Sequence, residues 1–218
     1  FNSSLLGPGP GGYGARVFQN GNQIVISFRG TTLDQGWQSI KELAADGSFA
    51  SGVPTPQLQE QVKLAAQLAQ FVANTFPGSH ITLTGWSLGG ALAQLVGNAS
   101  GYSTTAFNAP KVGFDLYNNV STSLAPALNL NGGPSAGEPN QNFRNDGDIV
   151  SQIGPASSIG TTTTLDSAVL TNIPALAQAL KGGLVGPIVE TYGYLHEISV
   201  VIAQLTENAT QTVGSVSS

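Results

Sequence analysis

Cysteine and methionine are both missing from the 218 residues, and charge is scarce. Without cysteine there is no disulfide framework, no thiolate chemistry and no cysteine-bound zinc. Charged residues make up 9%, against about 25% in an ordinary soluble domain. Seven are basic and twelve acidic, for a net charge of −5. With no basic cluster, binding to nucleic acid or to an anionic membrane surface is not expected, because both depend on dense Lys and Arg. No apolar run reaches the roughly 18 residues of a membrane-spanning helix. Histidine occurs twice, as His80 and His196, far apart in the chain. No Asp/Glu cluster has ligand spacing either, so no metal and no cofactor are expected.

Hydrophobic residues make up 40% of the chain, enough for a substantial core in one domain over residues 1–218. The first dozen residues are rich in Gly and Pro and read as a loop. Residues 15–19 and 23–28 read as two strands joined by Asn20-Gly21-Asn22, a hairpin signal because Asn and Gly tolerate positive φ. Leu33, Trp37, Ile40 and Ala44 fall on one stripe of a short helix. Thr55-Pro56 starts a second helix, whose apolar stripe runs Leu58, Val62, Ala65, Ala69, Val72 and Phe76 up to the stop at Pro77-Gly78. A strand at 81–84, a small-residue helix at 88–96 and a strand at 104–107 follow. Residues 114–143 look the least regular. A strand at 161–165 and helices at 174–181 and 198–205 complete the reading. Strands alternating with helices predict an α/β fold with a largely parallel sheet, preceded by a hairpin.

The pattern G-x-S-x-G marks a sharp strand-to-helix turn that exposes a nucleophilic serine. It occurs twice. Gly133-Pro134-Ser135-Ala136-Gly137 has no strand entering and no helix leaving, so it reads as a loop. Gly85-Trp86-Ser87-Leu88-Gly89 has both flanks, and its glycines supply the small neighbours that the turn requires. Serine needs a base to take its proton. His80 stands at the far end of the strand that carries Ser87, roughly 20 Å away at about 3.3 Å per residue, which leaves His196 as the candidate base. An acid between the serine and the histidine would orient that base. Asp148 and Asp146 both qualify on sequence.

Four blocks then appear in order: Ile24-Val25-Ile26-Ser27-Phe28-Arg29-Gly30-Thr31, the stretch 81–93 around Ser87, Phe107-Asn108-Ala109-Pro110-Lys111-Val112-Gly113, and Asn145-Asp146-Gly147-Asp148-Ile149-Val150, with His196 after them. In this the chain resembles the class 3 lipases, the fungal and bacterial triacylglycerol lipases and related esterases. The resemblance implies an α/β-hydrolase fold, a mostly parallel sheet flanked by helices. It assigns the acid of the catalytic triad to Asp148, with Ser87 and His196. It points to Thr31 and the N–H of Leu88 as the oxyanion hole. The activity it implies is fatty acyl ester hydrolysis through an acyl-enzyme, with phospholipase A1 or short-chain carboxylesterase as alternatives and a non-catalytic surface or binding module as the competing class. The implied partner is a lipid or ester substrate at a lipid–water interface. The resemblance and the absent initiator Met together suggest a mature or excised chain and an extracellular location. Two segments are lid candidates: the stripe at 33–44 and the apolar stretch 168–189. The chain departs from the family at Trp86, where a histidine is usual, and in lacking the fungal cysteine pairs.

Overall fold

The computed structural model describes residues 3–30, 47–124, 140–148 and 150–165. Thr31, the stripe at 33–44, the second serine motif at 133–137, the stretch 168–189, the expected helices at 174–181 and 198–205 and His196 lie outside the described residues.

Alternation of apolar and polar residues sets the centre of the sheet. Strand β1 (Ala15–Asn20) turns through Gly21, at φ 56°, into β2 (Gln23–Phe28). The pair is antiparallel, with Asn20 opposite Gln23. In β2 the residues Ile24, Ile26 and Phe28 are buried, and the residues between them are not. That period of two is what a sheet facing a core requires. Strand β3 (His80–Trp86) runs parallel to β2 and buries Ile81, Leu83 and Gly85. Then β4 (Ser103–Phe107), β5 (Asn140–Asn145) and β6 (Thr161–Leu165) add in parallel, giving the order β1-β2-β3-β4-β5-β6. The sheet is therefore mostly parallel with one antiparallel hairpin at its edge, as the sequence predicts.

Helices supply the crossovers that parallel strands need. A single turn, α1 (Ser48–Ser51), precedes α2 (Pro56–Thr75). The start of α2 is the expected one: the Thr55 hydroxyl accepts from the Leu58 N–H at 3.3 Å, and Pro56 occupies the first turn. Its buried stripe contains Leu58, Val62, Ala65, Leu68, Ala69 and Val72. Each of the larger side chains contributes about 1.5–3 kcal/mol by leaving water. Helix α3 (Leu88–Ser100) buries nearly its whole circumference and ends at Gly101, at φ 74°. It packs on β3, β4 and α2, so it sits at the centre of the core.

Two elements correct the reading of 114–143 as irregular. Residues Phe114–Leu124 form helix α4, and Asn140–Asn145 form β5. The helix sequence is rich in Asn, Ser and Thr, which favour caps and turns over helix interiors. Leu116 and Val120, one turn apart, are buried and hold it to the core. Strand β5 is polar throughout except Phe143, yet it has neighbours on both sides. Hydrogen bonds absorb part of its polarity: the Thr104 hydroxyl donates to Asn140 Oδ1, and Asn142 Nδ2 donates to the Ile159 carbonyl at 3.1 Å. The first dozen residues also hold more order than a loop, with 3₁₀ turns at Ser3–Leu6 and Pro10–Gly12. Among the described residues no helix is long and apolar enough to cross a membrane.

Candidate functional site

In a parallel sheet, ligands collect outside the carboxyl ends of the strands. Three consecutive strands, β3, β4 and β5, deliver Ser87, Asn108 and Asp148 to that edge. The arrangement begins with Ser87. It joins the end of β3 to the start of α3 at φ 56° and ψ −129°. Only two non-glycine residues described here have positive φ, Ser87 and Asn108. Such a conformation costs on the order of 1–3 kcal/mol and persists only where the surroundings enforce it.

The enforcement is steric. A Cβ on Gly85 would collide with the backbone of Gly89, and a Cβ on Gly89 would collide with the Phe28 carbonyl. The turn is therefore closed against both itself and the end of β2. Gly30 closes it from above: a Cβ there would lie 2.6 Å from the Trp86 carbonyl oxygen and 3.2 Å from Ser87 Cβ. The Ser87 N–H donates to the Phe107 carbonyl at 2.9 Å, tying the turn to β4. The Ser87 side chain does not cap α3. Ser87 itself is 2% exposed. Leu88 opens α3, so its N–H has no acceptor within the helix, and the positive end of the helix dipole points the same way.

Asp148 is fully buried and Asp146 is exposed, so burial separates the two acids that sequence alone left open. β5 stops at Asn145, three residues before Asp148. The carboxylate stands in the turn that follows, where Oδ1 accepts from the Val150 N–H at 3.3 Å and Oδ2 from the Ser151 N–H at 3.0 Å. The Ser151 hydroxyl donates to the Asp148 carbonyl at 3.0 Å. Both carboxylate oxygens are thus held by the backbone at the start of the 3₁₀ turn Val150–Gln152.

Asn108 links the two sides and had no role in the sequence reading. It is fully buried, at φ 45°. Its N–H donates to the Phe143 carbonyl at 2.8 Å, and its Oδ1 accepts from the Asn145 N–H at 2.9 Å. The Asn145 carbonyl in turn accepts from the Asp148 N–H at 3.2 Å. A continuous run of hydrogen bonds leads from the residue after β4 to the Asp148 turn. The available signal was its place directly after a strand in Phe107-Asn108-Ala109-Pro110, at a position where asparagine tolerates positive φ.

On the sheet, Trp86, Phe107 and Phe143 stand side by side in register. The rings of Phe107 and Phe143 stack with centroids 5.8 Å apart. All three are half-buried and give the edge an apolar floor beside Ser87. His80, the first residue of β3, is exposed at the opposite end. The described part of the site holds Ser87, Leu88 and Asp148; His196 and Thr31 lie outside it. Among the described residues no group of three or more acidic or histidine side chains is placed to hold a metal ion.

Solved structures similar to the chain include the native Rhizomucor miehei lipase propeptide complex, at 21% identity with a TM-score of 0.46. Lipase II from Rhizopus niveus matches at 19% and 0.48, and the Lip2 lipase from Yarrowia lipolytica at 18% and 0.43. In each case 71% of this chain is covered, with 53%, 62% and 66% of the respective lipases. The chain thus spans about half to two thirds of the length of these lipases. No curated protein matches the chain in sequence. A phospholipase-like family model matches residues 2–201, from the first strands past Ser87, Asp148 and His196, and the chain belongs to this family, that of the Tle-like phospholipase domain.

Proposed function

We propose that the chain is a serine ester hydrolase that cleaves fatty acyl esters of lipids through an acyl-enzyme. The observation that carries this is the enforced positive-φ turn at Ser87, closed by Gly85, Gly89 and Gly30 at the carboxyl edge of the sheet. In this reading Ser87 Oγ attacks the ester carbonyl while His196 takes its proton. Asp148 orients His196 and stabilises the imidazolium. The N–H of Leu88, with Thr31, holds the tetrahedral oxyanion, and one such donor is worth about 10²–10³ in rate. His196 then returns its proton to the leaving alcohol and activates water to release the fatty acid. The aromatic floor of Trp86, Phe107 and Phe143 suits an acyl chain.

The phospholipase description of the family favours a glycerophospholipid over a triacylglycerol as the substrate. Residues 1–218 form one hydrolase domain in this reading, which acts on lipid at an interface outside the cell. The test is hydrolysis of p-nitrophenyl esters from acetyl to palmitoyl, with Ser87→Ala beside the native chain. The expected loss in the variant is on the order of 10⁶-fold in kcat. A peak at long acyl chains supports lipid hydrolysis. A peak at acetyl or butyryl moves the reading to a small-ester hydrolase. An unchanged rate in Ser87→Ala, or no labelling of Ser87 by a fluorophosphonate, refutes the triad.

A further inference from the structure

Two of the three arginines in this acidic chain, Arg16 and Arg29, stand together on the edge hairpin. Arg16 lies opposite Ser27 in the β1–β2 pairing. The Arg29 N–H donates to the Gly14 carbonyl at 2.8 Å and so continues that ladder by one step. Arg16, Ser27 and Arg29 therefore share one face of the hairpin, with the arginines as diagonal neighbours, a relation that sets positions roughly 7–8 Å apart. All three line a groove of about 560 Å³ whose other walls include Leu6, Pro8 and Tyr13. The phenol of Tyr13 is buried and donates to the Leu5 carbonyl at 3.1 Å, so that wall is fixed.

Neither guanidinium has a carboxylate partner among the described residues, where Lys63 with Glu60 forms the one ion pair. Two like charges at diagonal positions repel. An anion seated between them would turn that repulsion into attraction, and the planar guanidinium fork suits the paired oxygens of a phosphate. The groove is also close to the candidate nucleophile. Arg29 is followed by Gly30, which abuts Trp86 and Ser87. In a glycerophospholipid the phosphodiester and the acyl ester are separated only by the glycerol backbone.

We propose that Arg16 and Arg29, with Ser27 beside them, form the subsite that holds the phosphodiester of a glycerophospholipid while its acyl ester is presented to Ser87. This deepens the reading of Ser87 as nucleophile and rests on it. The groove recognises a singly charged phosphodiester next to an apolar tail and gives no such advantage to a neutral diacylglycerol.

The test compares dihexanoyl phosphatidylglycerol with dihexanoylglycerol, so that only the head group differs. For the native chain kcat/KM is higher for the phospholipid. Arg16→Gln lowers that value tenfold or more, chiefly through KM, and moves the ratio of the two substrates by the same factor. Lys63→Gln removes a cation from the exposed side of α2 and leaves the ratio within twofold. If Arg16→Gln and Arg29→Gln both leave the ratio within twofold, the subsite is overturned. A native chain that hydrolyses neither substrate would count against the Ser87 reading, and equilibrium binding then decides the groove separately. Phosphatidylglycerol titrated into the native chain and into Arg16→Gln should bind at least tenfold more weakly to the variant, and equal binding overturns the proposal. Inorganic phosphate binding the native chain as tightly as the lipid would assign the groove to free anions and overturn its role as a head-group subsite.

Discussion

The turns that follow β3 and β5 hold their residues by opposite means. After β3, Ser87 is fixed by the absence of side chains: Gly85, Gly89 and Gly30 let three backbone segments touch. After β5, Asp148 is fixed by the presence of polar ones, through Asn108 and the amides of Val150 and Ser151. The first device is close-packed and fails sharply when a methyl group is added. The second is a network and fails by degrees, because each hydrogen bond contributes about 0.5–1.5 kcal/mol net.

The largest expected effect comes from breaking the steric device. Gly89→Ala drives a methyl group into the Phe28 carbonyl. It should destabilise the chain by about 3 kcal/mol and abolish ester hydrolysis, measured by denaturant midpoint and by p-nitrophenyl ester turnover. A variant that folds and turns over normally would show that the elbow is looser than its contacts suggest. Breaking the network should be milder. Asn108→Ala leaves the buried Asn145 N–H unpaired, which costs about 1–3 kcal/mol. Asn108→Gly relaxes the positive φ and loses the same bond, so it should be the more stable of the two. In both, kcat should fall up to about 10²-fold, because a small misplacement of the acid is enough. Normal kcat in Asn108→Gly would remove Asn108 from the positioning of Asp148.

Two smaller changes sharpen the contrast by touching neither turn. Thr55→Ala removes the cap of α2 and should lower stability by about 1 kcal/mol with unchanged turnover per folded molecule, read by melting and by active-site titration. Tyr13 tests alkaline pH. Burial pushes its phenol above the ordinary value near 10. The protonated form is thus favoured in the folded state. That stability is fully present below the ordinary value and is lost as the pH rises through the folded one. Tyr13→Phe should flatten the alkaline fall of the melting temperature, and an unchanged fall would place the titration elsewhere.

The same contrast explains what could be read from the sequence. The β3–Ser87–α3 unit was legible because steric fit leaves a composition signal: the mostly β-branched run Ile81-Thr82-Leu83-Thr84, then glycines two residues either side of the serine. The cap at Thr55 and the hairpin at Asn20-Gly21-Asn22 were legible for the same reason, since local geometry there restricts residue type. Strand β5 was not, because Asn140, Gln141 and Asn142 resemble a loop until Thr104 and the Ile159 carbonyl pair with them. Helix α4 was hidden by residues that prefer turns and become helical only when Leu116 and Val120 are buried. Choosing Asp148 over Asp146 took a family resemblance, because their difference in exposure arises only once β5 and the Val150–Gln152 turn are in place. Asn108 was quoted in a motif and given no task, since its acceptor oxygen acquires one only beside the Asn145 N–H.

The strained backbone at Ser87 sets folding against reactivity. Glycine accepts that φ without penalty, so Ser87→Gly should melt above the native chain while losing the hydroxyl on which the proposed chemistry depends. Random variants screened for heat resistance alone would therefore be drawn to this position first. The serine would survive only where catalysis is selected as well, and a rise in melting temperature with loss of turnover would mark the trade.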